Sequence, residues 1–197
     1  MQANCNQFLK ETIMTRIIII SWLVLTGPTT FGQIKNAKEY FGKGYYMIGQ
    51  RNYPVAIESL LKAIEIDSSG NCGTGIDGNA HGELGYAYLR NGDTTNAARY
   101  FDKSIILNPT NPFPRQNKAV MLSMQNKNDE AYKLLEELIQ LNPNFIDAYV
   151  QRGFLYNADN KKDLAIADFK KALELNSKTN ILPLELVKDL NDIINSK

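Results

Sequence analysis

Residues 148–176 read AYVQRGFLYNADNKKDLAIADFKKALELN, and the reading of this stretch decides the fold. Tyr149, Gly153 and Tyr156 recur at helical spacing in its first half, and Ala165, Phe169, Ala172 and Leu173 do so in its second. Asn157-Ala158-Asp159-Asn160 breaks the first helix. Asp163 stands near the start of the second, where a carboxylate answers free backbone N–H groups. Residue size says more than apolarity does. Gly153 and Ala165 are small where two antiparallel helices must approach closely, and Tyr149 and Phe169 are expected to fill the space where they diverge.

The order Tyr, Gly, Tyr, Ala, Phe, Ala resembles the tetratricopeptide repeat (TPR), a helix–turn–helix unit of about 34 residues. Ser177 departs from it, standing where the family usually carries Pro. The pattern recurs along the chain. The small Ala of the second helix falls at Ala56, Ala97, Ala131 and Ala165, the last two steps equalling that period and the first exceeding it by the length of an insertion. Its small partner on the first helix falls at Gly44, Gly85, Ala119 and Gly153, and a closing Asn-Pro at Asn108-Pro109 and Asn142-Pro143. Four units follow, 37–70, 78–111, 112–145 and 146–179, within a domain spanning 33–179 and with a Gly-rich insertion at 71–77. The resemblance implies an all-α fold, a right-handed α-solenoid of antiparallel helix pairs. Each unit then buries its apolar face only against its neighbours.

The units differ in detail. Pro54 suits the first turn of a helix. Gly92 is free to take positive φ in the Asn91-Gly92-Asp93 turn. In the third unit Arg115 replaces the usual aromatic, and Pro112-Phe113-Pro114 delays the helix start. Beyond the fourth, in 180–197, Pro183 opens a helix with Leu184, Val187, Leu190, Ile193 and Ile194 on one side. This amphipathic segment reads as a cap on the last unit's apolar face.

The N-terminus reads as something other than a repeat. Arg16 precedes an apolar run, Ile17 to Leu25, and Gly27-Pro28 then leads into small residues. These features describe a secretory signal covering 1–32, with cleavage after Gly32, and Met14 stands where translation could begin. Export to a bacterial periplasm or cell envelope, or secretion, is the expectation. The competing reading is an uncleaved anchor, but the run is less than half the ~20 residues that a spanning helix needs.

Charge is nearly balanced, with 22 basic and 21 acidic residues, and 20 of each beyond residue 32. Such a surface offers neither a counterion-releasing stripe for nucleic acid nor a basic face for anionic lipid. Cys72 is the single cysteine beyond the signal, either a free thiol or one half of an intermolecular bridge. The insertion SSGNCGTGIDGN (Ser68 to Asn79) reads as a flexible loop. Its G-x-G-x-x-G at Gly73, Gly75 and Gly78 follows a helix rather than the strand a dinucleotide site requires. Cys72, Asp77 and His81 give too few ligands for a metal and no orienting third group for Cys–His catalysis. His81 sits where TPR units place a large ring, so packing explains it. With no cofactor, no small-molecule substrate and no catalytic set, the sequence points away from an enzyme.

The resemblance implies a concave groove lined by the first helix of each unit. On the positions that face it, this chain carries Phe41, Tyr45 and Ile48 in the first unit and Tyr86, Leu89 and Arg90 in the second. The third supplies Phe113, Gln116 and Val120, and the fourth Val150, Phe154 and Asn157. Rings that packing does not require mark a partner site, or else pack against neighbouring helices. One TPR subgroup grips C-terminal carboxylates with Lys, Arg and Asn. Phe41, Tyr45 and Glu83 stand at three of those places here, which excludes that ligand. The expectation is a binding or assembly module for a peptide or helix of a partner protein. The alternative is a structural subunit that self-associates through the groove or Cys72.

Overall fold

A computed structural model describes residues 29–195, and the side chains of 36–195. It is all-helical: α1 (Thr29–Gly49), α2 (Tyr53–Ile66), α3 (Asn79–Arg90), α4 (Thr94–Leu107), α5 (Pro112–Met124), α6 (Asn128–Leu141), α7 (Ile146–Ala158), α8 (Lys162–Thr179) and α9 (Leu184–Asn195). Helices pair as α1 with α2, α3 with α4, α5 with α6 and α7 with α8, and α9 lies on α8. The first helices of successive pairs also touch, α1 to α3, α3 to α5 and α5 to α7. This is a solenoid of paired antiparallel helices, and its first helices form one continuous wall.

The apolar run Ile17 to Leu25 and the candidate start at Met14 lie outside the described residues. Thr29 to Asn36, expected as the end of the signal and a short lead-in, are helical and open α1. Gly27-Pro28 directly precedes them, and Pro is favourable just ahead of a first turn. Among the described residues no helix is long and apolar enough to cross a membrane.

Each pair is keyed by one small residue and one large one, sixteen positions apart. A Cβ on Gly44 would lie 2.6 Å from Leu60 Cγ, one on Gly85 2.7 Å from Phe101 Cδ1, and one on Gly153 2.5 Å from Phe169 Cε1. All three distances are shorter than real Cβ contacts. Phe169 therefore does not fill a gap where the helices diverge, as the sequence suggested. Its ring sits in the space that Gly153 leaves, and it is fully buried. In the third pair the glycine is Ala119 and the ring is the smaller Leu135, both in one core cluster. The two substitutions compensate in volume.

A second repeated position explains Arg115. Tyr149 donates its hydroxyl to the Pro143 carbonyl at 3.1 Å, and Arg115 donates Nη1 to the Pro109 carbonyl at 2.6 Å. The two pairs are one repeat period apart in sequence. The buried guanidinium thus replaces the phenol as a donor to the closing Asn-Pro. A third position is conformational. The turn inside each pair holds one residue at positive φ, namely Arg51, Gly92, Asn126 and Asn160. Glycine fills it without strain once, asparagine tolerates it twice, and Arg51 occupies it at a steric cost.

The insertion is a non-helical connection, as its composition suggested, and a set of hydrogen bonds crosses it. The Asp67 carboxylate accepts from Ser69 N–H at 3.1 Å, Ser69 Oγ at 2.6 Å and Cys72 N–H at 2.8 Å. Gly78 N–H donates to Ser69 O at 2.7 Å and Ala80 N–H to Gly70 O at 2.9 Å, closing the segment onto the start of α3. Cys72 itself is fully buried with Ala37, Ala63 and Ala80. Burial pushes its thiol up to about 11, so it is protonated and shielded from disulfide exchange. The intermolecular bridge considered from sequence has no exposed sulfur to form through.

His81 is buried against Gly70, where a Cβ would lie 2.2 Å from its Nδ1. Neither ring nitrogen has a hydrogen-bond partner. Burial holds its pKa down at about 4, with Lys103 adding to the effect, so the ring is neutral in the fold. An unfolded His81 titrates near ~6.5, so below that pH the unfolded chain takes up a proton that the fold refuses. Stability is therefore expected to fall between pH 6.5 and about 4 by on the order of 3 kcal/mol, and to level off below. Urea unfolding of the parent and of His81→Leu across this window checks it. An equal slope in both proteins would refute the assignment.

Candidate functional site

The wall of first helices carries its openings between neighbouring pairs. Two adjoining cavities of about 360 and 560 Å³ lie where α1, α3 and α5 meet, and both are lined by Tyr45, Asn79, Glu83, Asn111 and Phe113. Ile48, Tyr86 and Pro114 add to the first, and Phe41 and Ile76 to the second. Tyr45 and Phe113 are each 59% exposed, and Phe41 stacks on Tyr45 with centroids 6.2 Å apart. Phe113 also meets Phe145 edge-on at 6.0 Å. Asn111 caps α5 by accepting from Phe113 N–H at 3.2 Å, which fixes the start of the helix that presents this ring. A further cavity of about 260 Å³ opens between α5 and α7, where Val120, Met124, Phe154 and Leu155 form its apolar wall.

The residues expected on the groove thus divide. Phe41, Tyr45, Ile48, Tyr86 and Phe113 line the openings around α3, and Val120 and Phe154 line the one after α5. Val150 does not face a groove. It is 7% exposed and belongs to the last core cluster with Tyr149, Phe169 and Leu190, to which α8 and the segment leading to α9 contribute. Leu89 is half-buried against the cluster of Ala97, Phe101 and Met121. Arg90 lies over the rings of Tyr53 and Tyr86, 5.9 Å from each centroid. Gln116 and Asn157 line none of the three cavities.

Of one further row the sequence reading named only Glu83, as a departure from the carboxylate-gripping pattern, and it missed Asn117 and Gln151. Glu83, Asn117 and Gln151 stand one repeat period apart and border these cavities, Glu83 and Asn117 around α3 and Gln151 after α5. Asn117 and Gln151 each stand one step past a groove position that was considered, Gln116 and Val150. Their identical spacing was the available signal. The Gln151 Oε1 atom is buried with no partner. Burial also raises the Glu83 carboxyl above its ordinary range. Elsewhere, no three His, Cys, Asp or Glu side chains among the described residues converge in a way that could hold a metal ion.

Comparison with known proteins agrees with this architecture. Residues 78–111 and 146–179 each match a tetratricopeptide repeat family model. The chain is 32% identical over 122 residues to human DnaJ homolog subfamily C member 3, a match covering 61% of this chain and 24% of that protein. It thus spans about a quarter of the length of the curated relatives it matches. Among solved structures, a MamA protein superposes with a TM-score of 0.62 at 26% identity, covering 76% of this chain and 79% of that one. The first TPR of Spaghetti (RPAP3), bound to an HSP90 peptide SRMEEVD, superposes with a TM-score of 0.51 at 25% identity over 59% of this chain and 89% of its own. Helix pairing and the small-to-large key in each pair make the described chain a solenoid of paired antiparallel helices, within which 78–111 and 146–179 match the tetratricopeptide repeat.

Proposed function

We propose that this protein is a non-catalytic assembly module of four TPR units that holds a peptide or helix of a partner protein in its aromatic groove. A TPR-type protein-interaction module is the coarse function that the fold and its relatives support. The observation that carries the finer reading is the pair Tyr45 and Phe113, two large rings more than half exposed on the walls of the same openings. Monomers seldom leave such rings in water without a use for them. The RPAP3 domain binds a peptide with an acidic end. Here Glu83 would repel such an end, so a ligand of different charge suits this groove.

The test is a pull-down with the parent and with Tyr45→Ala/Phe113→Ala. Truncating exposed rings should leave the fold intact, within roughly 0.5 kcal/mol per site. It should lower affinity for the captured partner on the order of tenfold or more, since aromatic anchors dominate interfaces. Equal capture by both proteins would move the binding off this face. We propose export as well, on the strength of Arg16 and the apolar run that follows it, which would put the module beside envelope or extracellular partners. A secreted form beginning at residue 1 would refute cleavage.

The capping role of α9 belongs to this proposal. Leu190 is fully buried against Phe169 and its neighbours, while Leu184 on the same helix is exposed. Removing 181–197 uncovers the last apolar face. The truncated chain is expected to lose stability and aggregate, read by light scattering on heating; unchanged scattering and midpoint would refute the role. The rival reading, a self-associating subunit, predicts a mass that rises with concentration in sedimentation.

A further inference from the structure

We propose that the opening around α3 takes a basic side chain, Lys or Arg, of the partner segment, with Glu83 as its counter-charge and Tyr45, Tyr86 and Phe113 as its aromatic walls. This rests on the groove reading above and names the chemistry that the groove selects.

The argument begins with what surrounds Glu83. Its carboxylate borders both cavities between α1, α3 and α5. The other lining groups are rings, an aliphatic side chain, glycines, proline and the amides of Asn79, Asn111 and Asn117. Among the described residues no Lys, Arg or His pairs with Glu83, although the chain has other carboxylates that are paired, such as Glu58, Asp102, Asp159, Asp168 and Glu174. Arg90 lies over Tyr53 and Tyr86 and lines neither cavity. Desolvation is the sole cause of the upward displacement of the Glu83 carboxyl, with no opposing charge to relieve it. A half-buried carboxylate without a counter-charge is costly to leave alone.

An incoming ammonium or guanidinium meets both needs of the site. It supplies the missing charge-assisted hydrogen bond to Glu83. It also lies against electron-rich ring faces, where a cation is attracted once water is displaced. An acidic group would face an unscreened carboxylate, and a purely apolar one would leave Glu83 buried deeper and still unpaired. The occupant is a protein segment rather than a free amine, because the wall of first helices continues to the apolar opening at Val120, Met124 and Phe154. A basic residue with apolar residues beside it matches both openings.

The experiment uses the full chain and pools of acetylated, amidated nonapeptides with a fixed central residue and degenerate apolar flanks. Lys- and Arg-centred pools are expected to bind about tenfold more tightly than Gln- or Glu-centred ones, the size of a charge-assisted hydrogen bond in a desolvated site. In Glu83→Gln, which keeps the shape, that preference is expected to vanish while apolar-flank binding persists. Tyr45→Leu, at an exposed ring that cannot unfold the chain, should reduce the preference several-fold. Equal binding whatever the central residue would overturn the basic-residue assignment and leave the groove reading standing. A basic preference untouched by Glu83→Gln would overturn the role of Glu83. No binding by any of these proteins would overturn the inference and the groove together.

Discussion

Arg152→Met is expected to cost about 3–5 kcal/mol of stability, the usual penalty for leaving a buried charge without its partner. Arg152 reaches from α7 to α8 and grips Asp168 with two parallel bonds, Nε to Oδ2 and Nη2 to Oδ1, both 2.8 Å. Asp168 is only 5% exposed, so water cannot replace the guanidinium. The two residues have the same separation in sequence as the small-to-large key beside them, Gly153 and Phe169. The pair therefore ties the last two long helices at the point where they are closest. Asp168→Leu added to Arg152→Met should recover most of the loss, because the desolvation cost leaves with the charge. Urea unfolding of the three proteins reads both effects. A single variant within about 1 kcal/mol of the parent would show that Asp168 is solvated in solution.

The second large effect is expected at the key itself. Gly153→Ala puts a methyl group 2.5 Å from Phe169 Cε1 in a core with no room for it. Overpacking of this kind costs about 1–3 kcal/mol, against which the helix gains up to about 1 kcal/mol from losing a glycine. The net is a loss. Phe169→Leu alone leaves a cavity and also destabilises. Together the two changes recreate the Ala119–Leu135 pair that the third unit already contains. The double variant should therefore be more stable than the sum of its singles by on the order of 1–2 kcal/mol. Additive losses would mean that Phe169 moves aside in Gly153→Ala, and that the close approach of α7 and α8 does not depend on this contact.

The second case shows both what the sequence marked and what it missed: Gly153 was legible as a point of close approach, whereas its contact with Phe169 and the Arg152–Asp168 pair were not. Glycine or alanine on one helix, with Leu or Phe at a constant distance along the chain, is a pattern of size. Size at a fixed separation dictates which helices touch. The repeat period then placed every pair without further information. Arg115 was less transparent. In the sequence it broke an aromatic position, and only the carbonyl of Pro109 beside it shows that a donor, rather than a ring, is what the position requires. The insertion was legible as a loop, but what holds it was not. Its glycines and polar residues signal a loop in any local reading, whereas the contacts that tie it down come from Asp67, outside the Gly-rich segment, and from the buried Cys72.

The site was legible to a lesser degree. Tyr45, Tyr86 and Phe113 were placed on the groove by register alone, because a helical period fixes which side chains share a face. Register also put Val150 there, wrongly. A period assigns a face but not how far a neighbouring helix covers it, and in the last unit α8 and the segment leading to α9 bury that side chain. Glu83 was visible as a departure from the carboxylate-gripping pattern, but not as a desolvated charge facing an opening. By itself the sequence determined the helices, their pairing and the positions of closest approach, since these follow from local period and side-chain volume. Only the tertiary structure decided which faces stay open and which polar groups lose their water, because exposure depends on the helices that stack beside each one, contributed by distant parts of the chain.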